Sequence, residues 1–442
     1  MQNKQLAARM SRVRPSPTAE ISDKVRALVA QGKSVINLGE GELDFETPEH
    51  IKRAGIAAIE RGDTKYTAVA GTPELLDAVR EKFRRENGLD YARKEVIAGT
   101  GAKQLIFNAL LATVSTGDEV LIAAPYWVSY PDMVGLCDGY TTVLPCSAAD
   151  EWKLQPDVLR AAIGPSTRWL ILNSPNNPSG AIYTREELKA LTDVLLEHDH
   201  VLVMADDIYE HVRYSGDFYT VAQVEPRLTE RTLTINGVSK GFSMTGWRLG
   251  YAGGPEWLIN AMLTLQSQST SNPSTISQAA AIAALQGGND FMKTWLVSLA
   301  SRRKMVLDAI ARCAGLSCAV SEGAFYAFVD CSGVIGAVTP DGKRLGSDFD
   351  FASYLLEHAH VGTVHGAAFG VEDHIRIAYA VAPDMLEEAC RRMESACAAL
   401  TLATSTASAS SSASVVEAFG IQSDTNASNP SPVSTHVPSA VA

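Results

Sequence analysis

Short apolar runs and amphipathic stretches alternate over the first 400 residues. The runs at 119–123, 168–173, 201–206, 231–236 and 248–253 are almost continuously apolar and are bounded by turn-forming residues. That pattern predicts strands covered on both faces. Helical periodicity fills the gaps. Thr72-Pro73-Glu74 opens one helix with a cap and a proline at its first position. Thr184-x-x-Glu187 forms a capping box ahead of Leu188, Leu191 and Leu195. Gly99-Thr100-Gly101 leads into another helix, running to about Val114. Strands alternating with helices predict an α/β fold around a mostly parallel sheet. The pattern turns helix-rich from 254 to about 313. A strand at 324–329, a helix at 348–358, strands at 360–364 and 374–380, and a helix ending near Leu400 follow, reading as a smaller α+β domain. No solenoid or propeller repeat is present.

At 442 residues the chain is too long for one core and suggests two to three domains. Lys and Arg number 38 against 50 Asp and Glu, a net charge of −12. That balance argues against nucleic acid as a partner. No window approaches the roughly 18 uninterrupted apolar residues of a membrane span. The start, MQNKQLAARM, carries no apolar stretch of the secretory kind. The seven cysteines include no C-x-x-C pair, which excludes a finger-type zinc site and points to a reducing compartment. A cytoplasmic location is expected, with no metal. Residues 401–442 hold no Lys or Arg, and 24 of them are Ser, Ala or Thr, so a disordered tail is expected there.

Ligands of open α/β sheets gather beyond the carboxyl ends of the strands. Lys240 lies just past the 231–236 run in Asn236-Gly237-Val238-Ser239-Lys240-Gly241, with Arg248 eight positions on. It reads as a solvated loop lysine or as a Schiff-base lysine beside a phosphate site, since Gly, Ser and Arg suit a phosphate. Asp206 ends an apolar run, either as a helix N-cap or as partner to a cationic ring nitrogen. Tyr209 falls about one turn away if a helix starts there. Asn177 sits in the turn-rich NSPNNPSG, a loop or an amide donor to a ligand. Arg376, among the apolar residues of HIRIAYA, either snorkels or clamps a carboxylate. Gly101 and Ala102 open a helix where a phosphate could sit, without the ending of a Walker A loop. Trp127 is core or a stacking platform.

In their order along the chain, GELDFETP, KYTAVAGTPEL, PYWVSYPDM, NSPNNPSGAIY, DDIYEH, NGVSKGFSMTGWRLGY, QSQSTSNPSTISQAA, EGAFYAF and HIRIAYA resemble the fold-type I, class I aminotransferases. The resemblance is to the bacterial-type aspartate aminotransferase subgroup, which includes prephenate aminotransferases, and covers about Ala8 to Leu400. It implies pyridoxal 5′-phosphate as cofactor and an N-terminal arm at 1–45 belonging to a small domain. A large cofactor domain would span 46–290 and the small C-terminal domain 291–400. Lys240 would form the internal aldimine and shuttle the proton. Asp206 would hold the pyridine nitrogen, Asn177 and Tyr209 the phenolic oxygen, and Trp127 would stack on the ring. Arg248, Ser239, Gly101 and Ala102 would hold the phosphate. Tyr66 would reach the phosphate of a neighbouring subunit's cofactor, which implies a homodimer. Arg376 would clamp the substrate α-carboxylate with Gly41 beside it, Trp127 and Asn177 also facing the substrate. Thr18 and Lys103 match the pair that meets a distal carboxylate, although Lys103 also suits an ordinary helix start.

The implied reaction is ping-pong transamination of L-aspartate and 2-oxoglutarate to oxaloacetate and L-glutamate. Prephenate, aromatic or other amino acids, or lyase or cyclase chemistry on the same frame, stand as alternatives. A non-catalytic binding protein on this scaffold is a further one, against which Lys240, Asp206 and Arg376 together argue. Leu43 stands where the family usually has proline, which is expected to loosen the loop covering the site.

Overall fold

The computed structural model describes residues 6–402. The expected tail at 401–442 therefore lies almost wholly outside the described residues. A seven-stranded sheet carries the strand order β2-β8-β7-β6-β5-β3-β4. Its members are β2 (Val96–Gly99), β3 (Glu119–Ala124), β4 (Tyr140–Pro145), β5 (Thr167–Asn173), β6 (Leu202–Asp206), β7 (Thr232–Gly237) and β8 (Gly250–Gly253). β4, β3, β5, β6 and β7 run parallel; β8 runs antiparallel to both of its neighbours, β7 and β2. This is the α/β, mostly parallel architecture that the alternating pattern predicts.

The apolar runs are explained by packing on both faces. Trp169 and Ile171 enter one core with Val120, Ile122 and Met204, under the helices Ala102–Thr113 and Glu256–Ser267. Leu170 and Leu172 enter another with Leu121, Val203 and Ala205, under the helix Arg185–Leu196. Successive residues of one strand thus feed two cores, so no polar alternation survives in the sequence. The helix caps read from sequence hold. Thr72 accepts from the Leu75 amide, and Gly88 ends that helix at φ +65°. Thr184 and Glu187 form the capping box.

Two smaller sheets complete the described chain. β9 (Ser317–Cys318), β10 (Tyr326–Asp330), β12 (Val364–His365) and β13 (His374–Ala378) make an antiparallel sheet ordered β12-β13-β10-β9. β1 (Ile36–Asn37) pairs in parallel with β11 (Val361–Gly362). Around them the long helix Asp290–Ile310 and the final helix Pro383–Ala398 share one core with Phe325, Tyr326, Ile375 and Ile377.

Several boundaries differ from the pattern reading. The 248–253 run becomes a strand only at Gly250, because Arg248 is left-handed at φ +52°. The 324–329 run starts at Tyr326 for the same reason, with Ala324 at φ +54°. The 360–364 run splits, β11 joining β1 and β12 joining β13. Arg231 closes a 3-10 turn before β7. Leu43 does not leave its loop loose. It is buried, Asp44 donates its amide to the Ala380 carbonyl at 3.1 Å, and Arg302 Nη1 meets Asp44 Oδ1 at 2.5 Å.

Candidate active site

β5, β6 and β7 end side by side, and their ends build the floor of a cavity of about 320 Å³. Asn173 and Asp206 are register partners at those ends. The Asn173 side chain ties them together, donating to the Asp206 carbonyl at 2.7 Å and accepting from the Asn177 amide at 2.8 Å. Asp206 is therefore a strand terminus and not a helix cap, and Tyr209 reaches the cavity from the turn that follows it. After β7 the chain makes one helical turn, Val238–Gly241, which puts Ser239 and Lys240 at the cavity wall.

Of the residues singled out in the sequence, Thr18, Gly41, Ala102, Lys103, Trp127, Asn177, Asp206, Tyr209, Ser239, Lys240, Arg248 and Arg376 all line this cavity. Gly101 stands directly behind it. It caps the helix Ala102–Thr113 at φ +86°, and a Cβ there would lie 2.5 Å from Arg248 Nη2. Tyr66 is elsewhere, 90% exposed and outside the cavity.

The electrostatics follow from burial. Lys240, which donates to the Gly41 carbonyl, has its pKa lowered to about 8. Burial is the main cause; Arg376 and Arg248 push the same way, while Glu42 and Asp206 oppose them. Asp206 is raised to about 6, again chiefly by burial, against a hydrogen bond from Tyr130 Oη to Asp206 Oδ2 at 2.5 Å. Arg376 is fully buried. Its Nη1 donates to Asn177 Oδ1 at 3.0 Å and its Nη2 to the Gly39 carbonyl at 2.5 Å. It lies on β13, an interior strand of the β12-β13-β10-β9 sheet, and does not snorkel. Lys103 lies 4.7 Å over the Trp127 ring and donates to Ser129 Oγ at 3.2 Å, with its pKa lowered by burial and by Arg248.

A buried lysine of lowered pKa, a buried aspartate at a strand end, a helix N-terminus and a buried arginine thus share one cavity. The family model for aminotransferases of class I and II matches residues 33–393. The chain belongs to the class I and II aminotransferases. It is 52% identical to the aspartate aminotransferase of Rhizobium meliloti strain 1021, over 89% of this chain and 96% of that one. It is 51% identical to the aspartate/prephenate aminotransferase of Cereibacter sphaeroides, over 89% and 99%. The crystal structure of the Rhizobium meliloti aspartate aminotransferase superposes with a TM-score of 0.87 at 52% identity, covering 90% of this chain and all of that one. That of Thermus thermophilus aspartate aminotransferase with maleate gives 0.83 at 39% identity, over 88% and 99%.

Aminotransferases of this type work with pyridoxal 5′-phosphate, and the cavity fits it. Asp206 Oδ1 is buried with no hydrogen-bond partner, a place for an N–H donor bearing positive charge. The helix N-terminus at Gly101, with Ser239 and Arg248 close by, has the charge and free amides that suit an anion. Gly250 keeps it open, since a Cβ there would lie 2.2 Å from the Ala102 nitrogen.

Sequence reasoning missed Tyr130 and Tyr326. Tyr130 is buried against Asp206, and Tyr326 Oη lies 2.7 Å from Tyr209 Oη. Both stand inside motifs quoted for the resemblance, yet nothing in a local pattern tells an aromatic that fills space from one that carries a hydrogen bond. Outside the cavity, Glu86, Glu210 and His211 lie close enough to share an ion, but the buried Lys82 ammonium already sits against Glu210. Among the described residues no helix is long and apolar enough to cross a membrane.

Proposed function

We propose that this aminotransferase moves the amino group of L-aspartate to 2-oxoglutarate, giving oxaloacetate and L-glutamate in two half-reactions. The observation that carries the reading is the spare cation. Arg248 faces the anion cradle and Arg376 serves an α-carboxylate, which leaves Lys103 in the same cavity for a distal carboxylate, with Thr18 also in its lining. The names of the relatives point the same way, and the aspartate/prephenate names among them favour prephenate as a second amino acceptor.

Bound in the cavity, pyridoxal phosphate supplies an electron-accepting ring that stabilises negative charge next to an amine. Asp206 would keep the ring nitrogen protonated, Asn177 and Tyr209 would meet the phenolic oxygen, and Trp127 would lie against the ring. Ser239, Arg248 and the amides at Gly101 and Ala102 would hold the phosphate. Arg376, with Asn177 and the backbone of Gly41, orients the α-carboxylate. Lys240, with a pKa of about 8, has roughly a tenth of its amine neutral at pH 7 and can take the substrate α-proton. The exposed Tyr66 is suited to reach a second subunit's phosphate, so the enzyme is a homodimer. With the large domain at 46–290 and the small one at 1–45 plus 291–400, the cavity lies at their junction. The enzyme works in the cytoplasm.

The test is an absorbance spectrum of the cofactor-loaded protein, before and after L-aspartate without any 2-oxo acid. The visible band should disappear with aspartate and return with 2-oxoglutarate. A band indifferent to aspartate and glutamate refutes the dicarboxylate reading, and prephenate with glutamate is then the next pair to try. A protein with no visible band refutes the cofactor site itself.

A further inference from the structure

Two phenols meet in the wall of the cavity. Tyr326, from β10, is fully buried, and its Oη lies 2.7 Å from Tyr209 Oη. The rings meet edge to face, centroids 5.8 Å apart at 77°. The Tyr326 ring is also a seat for the carboxylate clamp, with the Arg376 guanidinium carbon 4.6 Å from its centroid. Its hydroxyl packs so closely on the 39–42 loop that a Cβ on Gly41 would lie 2.5 Å away. One side chain therefore touches the substrate clamp with its face and the cofactor-facing tyrosine with its hydroxyl.

Only one proton can lie between two phenol oxygens 2.7 Å apart, so the direction of that bond decides where the other proton points. Both tyrosines line the cavity, and with Tyr326 as the donor and Tyr209 as the acceptor the Tyr209 proton is turned towards it.

We propose that Tyr326 is a positioning residue that fixes the Tyr209 hydroxyl as a donor to the cofactor's phenolic oxygen, while its ring holds Arg376 in place. The proposal rests on the cofactor reading given above. A donor withdrawn from that oxygen leaves it more basic, so a proton held beside it leaves at higher pH. The charged groups lining the cavity around this point are Lys240, Arg376, Arg248, Lys103, Asp206, Glu40 and Glu42, and all of them remain in the variants below.

The experiment titrates the visible absorbance of the holoenzyme against pH in the wild type, Tyr326→Phe, Tyr209→Phe and Tyr326→Leu, with maleate binding measured alongside. Tyr326→Phe keeps the ring and loses the hydroxyl. Its midpoint should rise by about 0.5 to 1 pH unit, the worth of one net hydrogen bond, with maleate affinity within about twofold of wild type. Tyr326→Leu should add a loss of maleate affinity of roughly three- to tenfold as the clamp loses its seat. A merely structural role would lower thermal stability and leave the midpoint in place. The proposal is overturned if Tyr209→Phe moves the midpoint and Tyr326→Phe does not. It is also overturned if neither variant moves it, since Tyr209 then does not face the oxygen. A wild type without a visible band overturns the cofactor reading and this proposal together.

Discussion

Tyr130→Phe removes the hydroxyl that donates to Asp206 at 2.5 Å and leaves the ring in its place. Both groups are buried, at 1% and 4% exposure, so water cannot substitute. The bond is made to a carboxylate, and such bonds are worth about 1.5–3 kcal/mol. At 1.36 kcal/mol per pH unit the Asp206 pKa should climb from about 6 to about 7 or 8. The sign of the stability effect follows. An acid raised on folding contributes stability below its unfolded pKa of about 3.9 and loses it as pH rises to its folded pKa. In the cofactor-free wild type this loss is complete near pH 6 and amounts to about 3 kcal/mol. In the variant it continues to about pH 8. The gap in unfolding free energy between wild type and variant should therefore be small at pH 5 and widen by about 1.5–3 kcal/mol by pH 9. Urea unfolding of both cofactor-free proteins at half-unit pH steps measures it, and every other titrating group enters both proteins alike. A gap that stays constant from pH 5 to 9 refutes the argument, because Tyr130 would then act by packing alone.

Three further outcomes are expected. In the cofactor-free protein, Lys240 should be arylated by trinitrobenzenesulfonate with a half-maximal rate near pH 8, since burial favours its neutral form; mass spectrometry of the Lys240 peptide reads this, and a midpoint near 10 contradicts it. Gly250→Ala should force apart β8 and the start of the helix Ala102–Thr113, as its Cβ would lie 2.2 Å from the Ala102 nitrogen; a loss of at least about 1–3 kcal/mol and weaker cofactor binding, followed by calorimetry and fluorescence, are the outcome, and wild-type affinity would show that the cradle tolerates it. Lys103→Met should weaken maleate binding about tenfold or more while leaving turnover of L-alanine within about twofold; equal losses for both would remove Lys103 from distal-carboxylate recognition.

What the sequence made legible was local. The strands beneath the cavity announce themselves by continuous apolar runs, because each is covered on both faces. Thr72 and Thr184 mark helix starts by chemistry that spans four residues. Lys240, Asp206 and Asn177 stand out because a polar residue ending an apolar run has to be accounted for. What stayed hidden depends on partners far along the chain. Tyr130 and Asp206 are 76 positions apart, Tyr209 and Tyr326 are 117, and Arg376 and Gly39 are 337. Arg248 read as the first residue of a strand, yet its left-handed backbone, which turns the chain beside Gly101, leaves no trace in hydropathy. Leu43 read as a weakness through the loss of a proline; its burial and the Arg302–Asp44 pair beside it belong to tertiary structure alone.

The parallel pairing of β1 with β11 sets a timetable for the making of the protein. Ile36 leaves the ribosome ahead of its partner Val361, which emerges 325 residues later. At about 5–20 residues per second that interval is roughly 16 to 65 s. All seven strands of the large sheet lie between the two and can join in the meantime. The helix Pro17–Ala30, which brings Thr18 to the cavity, has to wait beside the growing chain with Ile21 and Val25 uncovered, since they pack against Leu356. A segment made before the large sheet thus docks after it.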